Sequence, residues 1–282
     1  MLVNMSEILK YAEEHKCAVG MFNATGFDSI QAIISAAEEL NVPVILAHAE
    51  VHNIFNDISI VAPSMIAAAK NAKVPVCVHL DHGVSMNIID RAIDLGFTSV
   101  MVDASDKSFD ENVDMTRKVV KKAHAKNISV EAELGRMPTN EDGSIVFDRP
   151  ENFYTNPDEA AIFVKKTGVD ALAIAFGTTH GFYKSTPKLD FNVIKNCREK
   201  LDKLPLVMHG GSGVSEEDYR QAIKAGIRKI NYYSYMSRAG YLKAKEVIES
   251  NTTMYLHDVN YAAMKAMKEN VLTAMKIMYK SV

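Results

Sequence analysis

Cysteine is scarce in this chain of 282 residues: there are three, Cys17, Cys77 and Cys197. They lie far apart, form no C-x-x-C pair and leave one over, which argues against a disulfide framework. Long apolar runs are missing too. No window approaches the roughly 18 consecutive apolar residues of a membrane span, and Met1 to Glu14 has no basic stretch leading into an apolar core, so no secretory leader is expected. These absences together predict a cytoplasmic protein. Nor is there a surplus of positive charge: 32 lysines and arginines stand against 35 aspartates and glutamates, a net charge of −3 that leaves no nucleic-acid footprint.

What is present is an alternation of two periods. Ser6 to His15 reads as a short amphipathic helix and Cys17 to Asn23 as a buried strand. Asp28 is expected to cap a helix whose apolar residues Ile30, Ile33, Ile34, Ala37 and Leu40 recur at the helical period. The pattern continues through strand 43–48, helix 61–71, strand 74–81, helix 85–95 stopped by Gly96, strand 99–104, helix 109–126 and strand 129–134. Helix 157–167, strand 171–176, helix 191–201, strand 204–209, a helix 215–225 opened by a capping box at Ser215, and strand 229–233 complete it. Eight near-continuous apolar strands alternating with helices predict a parallel sheet covered by helices, closed as a (β/α)8 TIM barrel. An extra N-terminal helix precedes it and a C-terminal helix follows. The open doubly wound sheet is the competitor, but Phe22-Asn23-Ala24-Thr25-Gly26 is not the G-x-G-x-x-G turn that fold usually carries. No composition shift breaks residues 1–282, so one domain is expected.

In such barrels chemistry sits at the C-terminal ends of the strands. There the chain carries Asn23, Asp81 with His82, Asp103, Glu131 with Glu133, His180, His209 and Asn231. Three imidazoles with one position left open are the usual arrangement of a catalytic zinc, which points to His82, His180 and His209. Glu133 and Asp103 would orient them or offer the ion a second resting place. Co2+ or Mn2+ would also suit nitrogen ligands. His79 shares a strand face with Asp81, so a supporting hydrogen bond or plain core packing are both open. His48 and His52 flank strand 2 without identifiable partners. Backbone amides in Gly210-Gly211-Ser212-Gly213 and around Asn231 could cradle an anion, although Glu216, Glu217 and Asp218 on the following helix would repel it from the helix end. The long connection 135–156 is expected to cover the site.

The motifs HLDHG (79–83), MVDAS (101–105), VEAELG (130–135) with EDG (141–143), GTTHG (177–181) and HGGSG (209–213) together resemble the metal-dependent, class II ketose-bisphosphate aldolases, the fructose- and tagatose-bisphosphate enzymes. The resemblance runs over nearly the whole chain, in order. It implies a carbohydrate-metabolism lyase of glycolytic type that splits a ketose 1-phosphate or 1,6-bisphosphate into dihydroxyacetone phosphate and an aldehyde. Zinc would be held by His82, His180 and His209, with room for a monovalent cation. By the same resemblance Asp81 is the acid/base and Glu141 moves the proton on the carbon beside the carbonyl. Asn23, Gly181, Gly210, Gly211, Ser212, Asn231, Tyr232, Tyr233 and Ser234 would contact the sugar phosphate, and the family's habit implies a homodimer or homotetramer.

The chain also departs from that pattern. Asn231-Tyr232-Tyr233-Ser234-Tyr235 stands where the family reads Asn-x-Asp-Thr-Asp or Asn-x-Ala-Thr-Glu, Pro138, Thr139 and Asn140 replace glycines before the loop acid, and Leu256-His257-Asp258 lacks the arginine of a late Asp-Pro-Arg-like segment. These changes predict an altered aldehyde pocket. Lys229 reads as lying at the wrong end of strand 8 for a Schiff base. A non-catalytic, metal-containing sugar-phosphate binding protein and a metal-dependent barrel hydrolase are the alternatives, the latter weakened because strand 1 ends without an H-x-H pair. The stripe Met264, Met267, Val271, Met275 and Met278 predicts a final helix, 259–279, that packs on the barrel or on a second subunit.

Overall fold

The computed structural model of the protein describes residues 1–135, 153–250 and 255–280. Eight parallel strands close on themselves in sequence order: β1 (Val19–Asn23), β2 (Val44–Ala49), β3 (Val76–Gly83), β4 (Ser99–Val102), β5 (Ser129–Leu134), β6 (Ala171–Ile174), β7 (Leu206–Met208) and β8 (Ile227–Tyr232), with β8 returning to β1. Around them run α1 (Met5–His15), α2 (Phe27–Leu40), α3 (Ile58–Asn71), α4 (Met86–Leu95), α5 (Phe109–His124), α6 (Pro157–Thr167), α7 (Phe191–Leu201), α8 (Glu216–Ala225), α9 (Ser234–Ser250) and α10 (Leu256–Met278). The (β/α)8 barrel with a leading helix and a trailing one is the expected architecture.

Strand alternation divides the core in two. Outward residues such as Phe22, Leu46, Val78, Val100, Ala132, Leu172 and Ile230 pack against the helix shell. Inward residues near the base, Val19, Met21, Ile45, Cys77, Ala171 and Val207, meet α1, whose Met5, Ile8, Leu9 and Ala12 plug that end. Small inward residues at Ala47, Ala171 and Ala173 leave room for buried polar side chains above this plug: His79, Glu131, His209 and Lys229 in one layer, with Asp81, Asn23, Asn231 and Glu133 higher up.

Several local expectations need correction. Gly26, not Asp28, precedes α2 as its cap, and the Ser29 hydroxyl accepts from the Thr25 and Gly26 amides, so the helix starts two residues earlier. Asp57 caps α3 through the Ser59 amide, which lengthens that helix by a turn, and a 3-10 turn, Glu50–Ile54, fills part of the connection before it. Ser215 caps α8 by accepting from the Asp218 amide, while its hydroxyl donates to the Asp218 carboxylate at 2.7 Å in place of a full capping box. Helix α9 carries little apolar periodicity because it buries only Met236 and Gly240, and its sequence gave no signal of a helix. Gly240 makes the packing of α9 on α10 close: an added Cβ would stand 2.9 Å from Met267 Cγ. Val271, Met275 and Met278 of α10 are buried in the core around the barrel, as the packing reading of that stripe expects, and Met264 is buried as well. Glu141 and the other residues of 136–152 lie outside the described residues.

Candidate metal centre and active site

The site begins with an irregularity in β3. His82 falls inside the strand rather than beyond it, and has φ 44, a left-handed conformation costly for a residue with a side chain. The pairing with β4 shifts register between Leu80 and Gly83, a bulge that turns His82 into the barrel mouth while Asp81 keeps its regular inward place. Gly83 is required there, because a Cβ would lie 2.5 Å from the Met101 carbonyl oxygen.

Asp81 is buried and gripped from both sides. Asn23 of β1 donates to its Oδ2 at 2.8 Å and Asn231 of β8 donates to Oδ1 at 3.1 Å. Burial alone would raise its pKa, but His82, His209, Lys229 and His79 outweigh that and hold the carboxyl well below the usual range, ionised.

Three imidazoles surround the same space. The His82 ring centre is 4.8 Å from that of His180 and 4.6 Å from that of His209, and ligand atoms of the three lie within 4.8 Å of one another. A second triplet of comparable spacing joins His82 to Asp103 and Glu133. His82 Nδ1 donates to Asp103 Oδ2 at 2.6 Å, and its Nε2 faces Asp81 Oδ1 at 4.0 Å. His209 Nε2 donates to Glu131 Oε1 at 2.9 Å, leaving Nδ1 near Glu133 Oε2 at 3.2 Å without the alignment of a hydrogen bond. Carboxylates that fix the far nitrogen of a histidine are the usual supports of metal ligands. His180 Nε2, His209 Nδ1 and Glu133 Oε2 are buried acceptor or donor atoms without hydrogen-bond partners among the described residues, and orphaned polar atoms are costly unless something binds them. The charge pattern agrees. Burial works against an imidazolium at His82, yet Asp81, Asp103 and Glu133 hold its pKa up at about 10, so the pocket attracts positive charge. Burial, then His82 and His209, lower the pKa of His180 to about 3 and keep that ring neutral, the form in which it can ligate. The residues fit a small divalent cation.

A layer lower, Lys229 Nζ lies 2.8 Å from Glu131 Oε2 and donates to Asn231 Oδ1 at 2.8 Å. Glu131 thus links the lysine to His209, and its pKa is lowered to about 2, since Lys229 first and then the two histidines overcome burial. Lys229 is inside the barrel at mid-strand and committed to this pair, which removes it as a free amine. His79 bonds Ser99 Oγ at 2.9 Å through Nδ1, so it supports the interior layer rather than Asp81 directly.

On the opposite side the glycine turn after β7 is shaped by close approach. Gly210 has φ 64 and a Cβ there would collide with the Thr179 carbonyl; Gly211 donates to the Asn231 carbonyl at 2.9 Å. The Tyr183 and Tyr219 hydroxyls donate to the carbonyls of Gly210 and Gly211 at 2.8 and 2.6 Å, and Tyr233 N donates to Ser212 Oγ at 3.1 Å. Gly210, Gly211 and Ser212 line the cavity wall, with the Gly211 amide already committed to Asn231.

All expected site residues among those described except His209 line one cavity of about 310 Å³: Asp81, Asn23, His82, Asp103, Glu133, His180, Gly181, Gly210, Gly211, Ser212, Asn231, Tyr232, Tyr233 and Ser234; His209 is fully buried beside it, its ligand atom grouped with those of His82 and His180. Glu141 lies outside the described residues. Ala49, Val51, His52 and Ser105 also line the cavity and were not foreseen. His52 is not partnerless: its ring is 4.8 Å from Tyr233 and 6.4 Å from His48. The Tyr232 hydroxyl donates to Asn270 of α10 at 3.0 Å, so that group is turned from the cavity, and Tyr235 stacks on Phe182 at 5.5 Å. Glu131 was visible as a strand-end acid but not as the residue that orients His209. Its two-residue spacing from Glu133 placed both inside the barrel, and the register across to His209 was the missing information.

Comparison with known proteins gives a consistent result. A family model described as "Fructose-bisphosphate aldolase class-II" matches residues 3–281. Fructose-bisphosphate aldolases of Staphylococcus epidermidis and Geobacillus stearothermophilus are each 40% identical, over 259 and 262 residues, covering 90% of this chain and 88% of theirs. The crystal structure of the YdjI aldolase from Escherichia coli K12 superposes with a TM-score of 0.88 at 35% identity, covering 100% of this chain and 98% of that one.

Proposed function

The chain belongs to the class II fructose-bisphosphate aldolase family, and from that premise we propose how its residues carry the reaction. It is an aldolase, a lyase, and dependence on zinc is the general property of its family. The proposed reaction is reversible cleavage of a ketose 1-phosphate or 1,6-bisphosphate between C3 and C4, giving dihydroxyacetone phosphate and an aldehyde. His82, His180 and His209 would hold the zinc, with Asp103 and Glu133 beside them; Co2+ or Mn2+ would be accepted by the same ligands. When bound, the ion supplies Lewis-acid stabilisation for charge developing on the oxygens of the dihydroxyacetone phosphate half.

Asp81 takes the proton of the C4 hydroxyl, and as the C3–C4 bond breaks its electron pair remains with C3. Asn23 and Asn231 fix both carboxylate oxygens, so the base is aimed before substrate arrives. Glu141 is assigned delivery of the proton to C3, on the strength of the family pattern. The turn 210–212, with Gly181 and Ser234, would receive the phosphate. The observation that carries this reading is the buried Asp81, locked by two amides, at the edge of three convergent imidazoles. The proposal extends to one barrel domain over 1–282, a cytoplasmic homodimer or homotetramer, and no nucleic-acid or membrane partner.

The aldehyde half is proposed to differ from glyceraldehyde 3-phosphate. Ala49, Val51, His52 and Tyr233 form that wall, and no lysine or arginine lines the catalytic cavity among the described residues. Metal-loaded protein should be assayed for dihydroxyacetone phosphate release from a panel of ketose 1-phosphates and 1,6-bisphosphates. A best substrate other than fructose or tagatose bisphosphate is expected; comparable cleavage of those two at rates above the rest would refute the altered pocket. Release from none of them would leave a binding protein.

A further inference from the structure

Beside the catalytic cavity lies a second one, of about 550 Å³, and the two share Gly181, Tyr233 and Ser234. Its other wall is one face of α9, with Ser234, Ser237, Arg238 and Tyr241 at helical i, i+3, i+4 and i+7 spacing. Arg238 is the one lysine or arginine lining either cavity among the described residues. Its guanidinium carbon sits 5.8 Å from the ring centres of both Phe182 and Tyr241, and no carboxylate of the described residues lies within salt-bridge distance. An arginine held over two rings without an acidic partner is a fork oriented for an anion.

We propose that Arg238 supplies the positive charge that receives the substrate's phosphate, extending the sugar-phosphate site from the catalytic cavity into its neighbour. The inference rests on the aldolase reading for the identity of the substrate, but not for the binding of phosphate. A phosphate dianion entering this mouth faces Asp81, Asp103 and Glu133, and α8 presents Glu216, Glu217 and Asp218 in its first turn. The glycine turn offers amides and the Ser212 hydroxyl, which donate but carry no full charge. Arg238 lies one helical turn after Ser234, and Ser212 is tied to Tyr233 immediately before that helix. Arg238 is thus tied to the turn through the start of its helix. Its planar fork can give two parallel N–H bonds to phosphate oxygens, which a lysine cannot.

The test compares wild type with Arg238→Ala, Arg238→Lys and Lys245→Ala, the last removing a surface charge from the same helix that pairs only with Glu249 among the described residues. For the best ketose phosphate, Arg238→Ala should raise KM about tenfold or more, the size of a lost charge-assisted hydrogen bond, with kcat within about twofold. Competitive inhibition by inorganic phosphate should weaken by the same factor, Arg238→Lys should recover part of it, and Lys245→Ala should change neither. Unchanged KM and phosphate inhibition in Arg238→Ala, or an equal effect from Lys245→Ala, overturns the proposal. If wild type cleaves no ketose phosphate, titration calorimetry with inorganic phosphate reads the same difference. Phosphate binding lost in Arg238→Ala would then uphold the inference while the aldolase reading fails, and equal binding by both proteins would overturn it.

Discussion

Asp81 shows how a single carboxylate is prepared by its neighbours. With Asn23 and Asn231 each donating to one oxygen, its position does not depend on the substrate, and the imidazoles keep it ionised. Asp81→Asn should leave folding and metal content intact while lowering kcat by about 10²–10⁴-fold, the range for loss of a positioned acid/base; metal analysis and steady-state kinetics on one preparation would check it. Lys229 and Glu131 make a different prediction. Both are fully buried and joined at 2.8 Å, so removing either leaves an uncompensated interior charge. Lys229→Met and Glu131→Gln should each cost about 3–5 kcal/mol in urea unfolding, and the double variant much less than their sum.

At the scale of elements, β3 carries the metal centre because it is not a regular strand. The bulge at 80–83 swings His82 toward His180 and His209, and Gly83 is the position that allows it. Gly83→Ala should displace His82 and weaken zinc affinity about tenfold or more, as disturbances of a ligand's support commonly do, measured by competition with a chromophoric chelator. This element also marks what the sequence could express. Apolar period and strand count made the barrel legible, and the strand-end rule assembled Asp81, His82, His180 and His209 from three separate segments. The bulge itself leaves no period to read. Helix α9 was invisible because it buries two residues and draws its support from α10, and His52 escaped because it sits in a 3-10 turn, where neither strand nor helix spacing applies. Tyr232 was read as facing the sugar, whereas strand alternation from Asn231 sends its hydroxyl to Asn270.

Across the whole molecule, the barrel wall contains a group that couples stability to acid. His48 of β2 is fully buried, and burial, then the neighbouring His52, lower its pKa to about 4 from the ordinary 6.5. The unfolded chain therefore binds a proton between pH 6.5 and 4 that the fold refuses, and stability falls as pH drops through that window. The loss attributable to His48 approaches about 3 kcal/mol near pH 4, and His48→Leu should flatten that part of the unfolding-midpoint curve. An unchanged slope would remove His48 as its cause.

The central claim is that the three histidines and Asp81 form a working aldolase centre. It can be tested without knowing the aldehyde, by following in D2O by NMR the exchange of the hydroxymethyl C–H of dihydroxyacetone phosphate with solvent, in the absence of any aldehyde. Exchange by the zinc-loaded protein, abolished by chelator, restored by added zinc and absent in His209→Ala, is the predicted result. Dihydroxyacetone phosphate that binds the zinc-loaded protein but never exchanges would contradict the account.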